Sequence, residues 1–84
     1  MNKKEIACIF DQFILGEENR EETNELNIYT DLINDYSYDS LSIMQLVVSV
    51  EEAFDIRIDD DALELENLRS YSWWIEYIFE KVNL

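Results

Sequence analysis

A single glycine, Gly16, and no proline in 84 residues leave this chain few folds to choose from. Sandwiches and barrels reverse direction every few residues, and their tight turns draw on glycine and proline for special backbone angles. A helical bundle turns only a few times and needs little such punctuation. The apolar spacing agrees. From Lys3 to Leu15, the residues Ile6, Ile9, Phe10, Phe13 and Ile14 recur at the spacing of one helix face. Gly16 follows, where a helix end favours a left-handed residue. A second helix is predicted from Asp39 or Ser40 to Phe54, with Ile43, Leu46, Val47, Val50 and Phe54 on its core face. Ser70 reads as the N-cap of a last helix running to Val82. Its predicted buried face is Tyr71, Trp74, Ile75, Ile78, Phe79 and Val82.

The connections are less regular. "DIRIDDDALELENL", Asp55 to Leu68, opens as an extended stretch in which Ile56 and Ile58 alternate with charge. A short helix capped by Asp59 or Asp60 and ending near Glu66 is expected to follow. Residues 17–38 form a long first connection, and such a length in so small a domain often signals function. Leu26, Ile28, Leu32 and Ile33 are expected to pin it to the bundle, with room for a short helical turn. The expected architecture is one all-α domain over residues 1–84. It is a small up-and-down four-helix bundle with three longer helices, one short one and a long first loop.

Charge narrows the function. The formal net charge is −14, from 20 acidic and 6 basic residues. Such a polyanion is repelled by nucleic acid and by anionic membrane surfaces, and its natural partners carry basic patches. Solubility alone is the plainer account of the same charge. Apolar residues make up 48% of the chain, enough for a packed core near the lower size limit of independent domains. The N-terminal apolar run is broken by Glu5, Asp11 and Gln12, so it is a poor signal peptide and too short to span a bilayer. One cysteine, Cys8, allows neither an internal disulfide nor a cysteine metal cluster, and it reads as an incidental thiol. A monomer in a reducing cytoplasm is expected.

Catalysis finds little support. The chain has no histidine, its carboxylates read as solvated runs, and Ser40 has no base to activate it. There is no glycine-rich phosphate loop. "DDD" at Asp59–Asp61 lacks the alternation, central glycine and terminal glutamate of an EF-hand, so capping is the better account. No catalytic residue and no metal site is expected.

The second predicted helix has one feature left over. Leu41, Met44 and Val48 fall away from its core face, on the side shared with Ser40, Glu51 and Asp55. A helix that packed only against its own bundle would not need this second strip. Burial under the long loop is the ordinary alternative for the apolar residues, and plain solvation for Glu51, Glu52 and Asp55. Trp73, turned from the core face of the last helix, reads as a contact residue or as half-buried against a loop. Ser40 itself is either a simple helix start or a point of attachment.

The stretch around Ser40 resembles the acyl carrier protein family, including peptidyl and other thioester carriers. "DSL", Asp39–Ser40–Leu41, matches that family's attachment motif. "LINDYSYDSL" fits the approach to it, "EEAFDIRIDDDAL" the acidic–aromatic end of the helix, and "SYSWWIEYI" the last helix. The likeness runs from about Leu32 to Ile78. It implies that Ser40 carries 4′-phosphopantetheine, attached covalently from coenzyme A by a phosphopantetheinyl transferase. Asp39 and Leu41 complete the cofactor-binding motif, Asp39 with a role in transferase recognition. A phosphodiester at the start of a helix suits the unpaired amides and dipole there. Leu41, Met44, Val48, Glu51, Glu52 and Asp55 would then form a surface for partners with basic docking faces. Those partners are an acyl- or aminoacyl-loading enzyme and downstream biosynthetic enzymes.

Two departures matter. The family usually has glycine two residues before the aspartate, where this chain has Ser37, and the backbone angle there suits serine less well. Ser42 and Gln45 stand where fatty-acid carriers often have acid. This tilts the expectation toward a free-standing carrier of a dedicated pathway: peptide, polyketide, aminoacyl or a specialised acyl chain. The rival from another class is an unmodified acidic interaction module with a carrier-like fold. A small hydrolase or transferase ranks last for want of a base.

Overall fold

The computed structural model describes residues 1–15 and 29–83. Its helices are α1 (Lys3–Leu15), α2 (Leu32–Tyr36), α3 (Ser40–Phe54), α4 (Leu65–Leu68) and α5 (Tyr71–Val82), with a 3₁₀ turn at Asp60–Ala62. The three long helices fall where apolar periodicity puts them. Gly16 as a helix stop, and Leu26 and Ile28 as pins, lie outside the described residues.

Each long helix begins with a local cap that the sequence encodes. Asn2 and Glu5 exchange backbone-to-side-chain bonds of 3.0 and 2.8 Å, a reciprocal capping box for α1. Asp39 accepts from the Ser42 amide at 2.8 Å and starts α3. Ser70 accepts from the Trp73 amide at 3.3 Å and starts α5.

The core is aromatic at its centre. Trp74 and Phe10 are fully buried, with Ile6, Leu32, Ile43, Val50 and Ile78 around them. Full burial of a phenylalanine-sized side chain contributes about 1.5–3 kcal/mol. The Phe10 ring lies 5.5 Å from Trp74 and 5.6 Å from Tyr71, joining α1 to α5. The polar edges are satisfied: Trp74 Nε1 donates to the Leu68 carbonyl at 2.6 Å, and the Tyr71 hydroxyl donates to Asp11 at 2.6 Å. In the last helix Phe79 and Val82 are half-buried, packed against the core at its edge and not enclosed by it.

The short helix after α3 differs from expectation. In place of one helix from Asp59 or Asp60 to about Glu66 there is the 3₁₀ turn, a break at Leu63 and Glu64, and then α4. Asp59 occupies the cap position without capping. Its carboxylate instead accepts from Lys81 Nζ at 2.9 Å and from the Tyr77 hydroxyl at 3.2 Å, which ties the turn to α5. Trp73 is half-buried: it stacks on Tyr77 at 4.7 Å and meets Trp74 edge-on.

The segment leading to α3 is tied to the far side of the bundle. The Leu32 amide donates to the Arg69 carbonyl at 2.8 Å, and the Tyr71 amide to the Thr30 carbonyl at 3.2 Å. Arg69 Nε donates to Asp31 at 2.9 Å across the same junction. Asp31 also caps α2 by accepting from the Ile33 and Asn34 amides. The entry to Ser40 is thus braced over several residues.

Candidate functional site

Ser40 is the first residue of α3 and is exposed. Its hydroxyl makes no hydrogen bond among the described residues. The capping job belongs to Asp39, so Ser40 is not needed as a helix start. The Ser42 amide and hydroxyl hold the Asp39 carboxyl below the usual carboxylate range, and it stays ionised beside Ser40.

The approach is a tight reversal. Helix α2 ends at Ser37, which adopts φ 59° and ψ 30°, the left-handed conformation that glycine supplies without strain. The awkward angle expected at that position is there. The amides of Ser37 and Tyr38 both donate to the carbonyl of fully buried Leu32. The Tyr38 hydroxyl reaches back to α1 and donates to the Phe13 carbonyl at 3.3 Å.

Along α3, Leu41, Met44 and Val48 are 67, 47 and 52% exposed, so the second apolar strip stands at the surface. The core stripe of Ile43, Leu46, Val47, Val50 and Phe54 is buried as expected. No charged residue occurs from Ser40 to Val50, and acid begins only at Glu51. The three acids there differ. Glu52 and Asp55 are exposed. Glu51 is half-buried, and its carboxylate accepts from the Ile58 amide at 2.9 Å while its carbonyl accepts from the Ile56 amide at 3.2 Å. Sequence reasoning placed Glu51 with the recognition acids and missed this second employment, because no local pattern announces an amide seven residues away. The Asn2–Glu5 capping box was equally missed, although its spacing is visible in the sequence.

Asp11 lies half-buried on α1 behind the reversal. Burial pushes its carboxyl up, against the opposing hydrogen bond from Tyr71. Burial, and then the bond to Asp11, push the Tyr71 hydroxyl up as well. Among the described residues no three potential metal ligands cluster together. Among the same residues no helix is long and apolar enough to cross a membrane.

Comparison with known proteins bears on this geometry. The family model described as "phosphopantetheine attachment site" matches residues 13–75, with Ser40 inside the matched span. An acyl carrier protein of Desulforapulum autotrophicum is 46% identical over 50 residues, 60% of this chain and 62% of that protein. That match spans just under two thirds of the relative's own length. An acyl carrier protein of Guillardia theta is 35% identical over 83 residues, 98% of each chain. One of Exiguobacterium sibiricum is 32% identical over 79 residues, 94% of this chain and 98% of its own. No solved structure matches.

Proposed function

This chain belongs to the phosphopantetheine attachment-site family, and from that membership we propose that it carries acyl or aminoacyl intermediates on an arm bonded to Ser40. It is a carrier protein and not an enzyme, and its cofactor is covalent 4′-phosphopantetheine. When attached, that group supplies the thiol on which a carboxylic acid is held as a thioester. The protein supplies everything else. One observation carries the assignment of the site: an exposed, unengaged Ser40 hydroxyl at the start of α3, with its helix already capped by Asp39.

The residues divide the work. Ser40 Oγ is the point of bonding, at the end of α3 where the helix dipole favours an anion. Asp39 fixes that end and gives a transferase a charge to read. Leu41, Met44 and Val48 offer apolar contact, and Glu52 and Asp55 steer a partner with a basic face. Glu51 contributes less freely, since its carboxylate is bound to the Ile58 amide. The partners in this reading are a phosphopantetheinyl transferase, a loading enzyme and later enzymes of one biosynthetic route. The uncharged Ser42 and Gln45 favour a dedicated route over general fatty-acid synthesis. A cytoplasmic location goes with the reading, in keeping with the free thiol of Cys8.

Intact mass spectrometry tests it. The chain is incubated with coenzyme A, magnesium and a broad-specificity transferase, beside Ser40→Ala. A gain of one phosphopantetheine on the native chain alone is expected. A folded native chain that gains nothing with two unrelated transferases overturns the proposal.

A further inference from the structure

The reversal before Ser40 holds a non-glycine residue at positive φ, and a conformation of that kind persists only where its surroundings over-determine it. Three ties do so here. The Leu32 carbonyl accepts from both Ser37 and Tyr38, Leu32 is itself fully buried, and the Tyr38 hydroxyl is bonded to the Phe13 carbonyl. The Leu32 carbonyl ties the turn to α2, and the burial of Leu32 ties α2 to the core. Among the hydrogen bonds of the described residues, that of Tyr38 joins the turn to α1, 25 residues back. It does so from a position two residues before the serine that this reading modifies.

The Tyr38 ring is not locked by packing alone. It is half-buried against the core. One flank borders a cleft of about 350 Å³ lined by Phe13, Ser42, Gln45, Leu46 and Ser49. On that flank the hydroxyl bond to Phe13 adds to the packing that holds the ring. If the ring moves, so does the backbone that sets where Asp39 turns into α3 and where Ser40 is presented.

We propose that Tyr38 is a positioning residue for the modification of Ser40, a strut from α1 that holds the Ser37 turn in the one geometry a transferase accepts. The inference rests on the Ser40 reading. It predicts a loss in apparent affinity, because a transferase then binds only the fraction of chains with the turn in place.

The test follows transfer from coenzyme A to the native chain, Tyr38→Phe and Tyr38→Ala. Circular dichroism fixes a temperature at which each is fully folded. Tyr38→Phe keeps the ring and removes only the bond to Phe13, so it remains informative if Tyr38→Ala fails to fold. A rise in KM for Tyr38→Phe, up to the limit of about tenfold set by loss of one hydrogen bond, with kcat unchanged, is expected. Backbone amide signals of Ser37 to Leu41 should broaden in the same variant. A melting temperature that falls while KM and those signals stay put makes Tyr38 merely structural and overturns the inference. Absence of transfer to the native chain sinks the Ser40 reading as well, which separates the two failures.

Discussion

Ser37 occupies a left-handed position with a side chain that disfavours it. For a non-glycine residue that conformation costs roughly 1–2 kcal/mol, and glycine loses about 0.5–1 kcal/mol of its advantage to unfolded-state entropy. Ser37→Gly should therefore raise the urea midpoint by the equivalent of about 0.5–1 kcal/mol, with the slope unchanged. A lowered midpoint would show that the serine hydroxyl stabilises the turn in a way its backbone angles do not reveal. The same residue shows how far one position could be read in advance. The resemblance to the carrier family pointed to a glycine position there, and so to the conformational demand. The Tyr38 bond that helps to hold the turn was not legible, because it joins residues 25 positions apart.

Helix α3 separates structural acid from free acid within two adjacent residues. Glu51 satisfies the part-buried Ile58 amide and so fixes the turn through Asp55, which is itself left-handed at φ 53°. Glu52 projects into solvent. Glu51→Ala leaves that amide without its partner and should cost about 1–3 kcal/mol in urea unfolding, with faster hydrogen exchange at Ile58. Glu52→Ala should stay within about 0.5 kcal/mol of the native chain. Equal effects from the two would remove the distinction. The long helices were legible because their signals are local: a periodic apolar stripe in each, and Asp39 and Ser70 just before the first turn. The short ones were not. Asp59 looks like a cap, but Lys81, 22 residues on, takes its carboxylate, and the predicted single helix divides. The exposed strip of Leu41, Met44 and Val48 was legible for the same reason as the core, since both follow from 100° per residue.

At the scale of the molecule, titration acts in two directions. Asp31, Asp39 and Asp59 have carboxyls held below the usual range. For Asp31 burial acts upward, but the Asn34 amide, Arg69 and the Ile33 amide outweigh it. For Asp39 the cause is the Ser42 amide, and for Asp59 it is Lys81. Each contributes stability that is present above the unfolded value of 3.8 and is lost as pH falls through the lower folded value. Asp11 does the reverse. Its folded value lies above 3.8, so the native state holds the proton more tightly. Its contribution is present below 3.8 and disappears as pH rises through the folded value. A net charge of −14 adds self-repulsion that also eases on mild acidification. The native chain should therefore gain thermal stability from pH 7 toward the upper carboxylate range, then lose it below 3.8 as the three depressed carboxyls take up protons. Asp11→Asn isolates one part of this. It removes the titration behind the Tyr71 contact while keeping an oxygen that can accept from the hydroxyl. Melting temperatures of the two chains, measured from pH 7 to pH 4 at fixed ionic strength, should converge as the native Asp11 becomes protonated. Curves that run parallel throughout would mean that Asp11 titrates as it does in the unfolded chain, and the rise on acidification would then belong to the net charge alone.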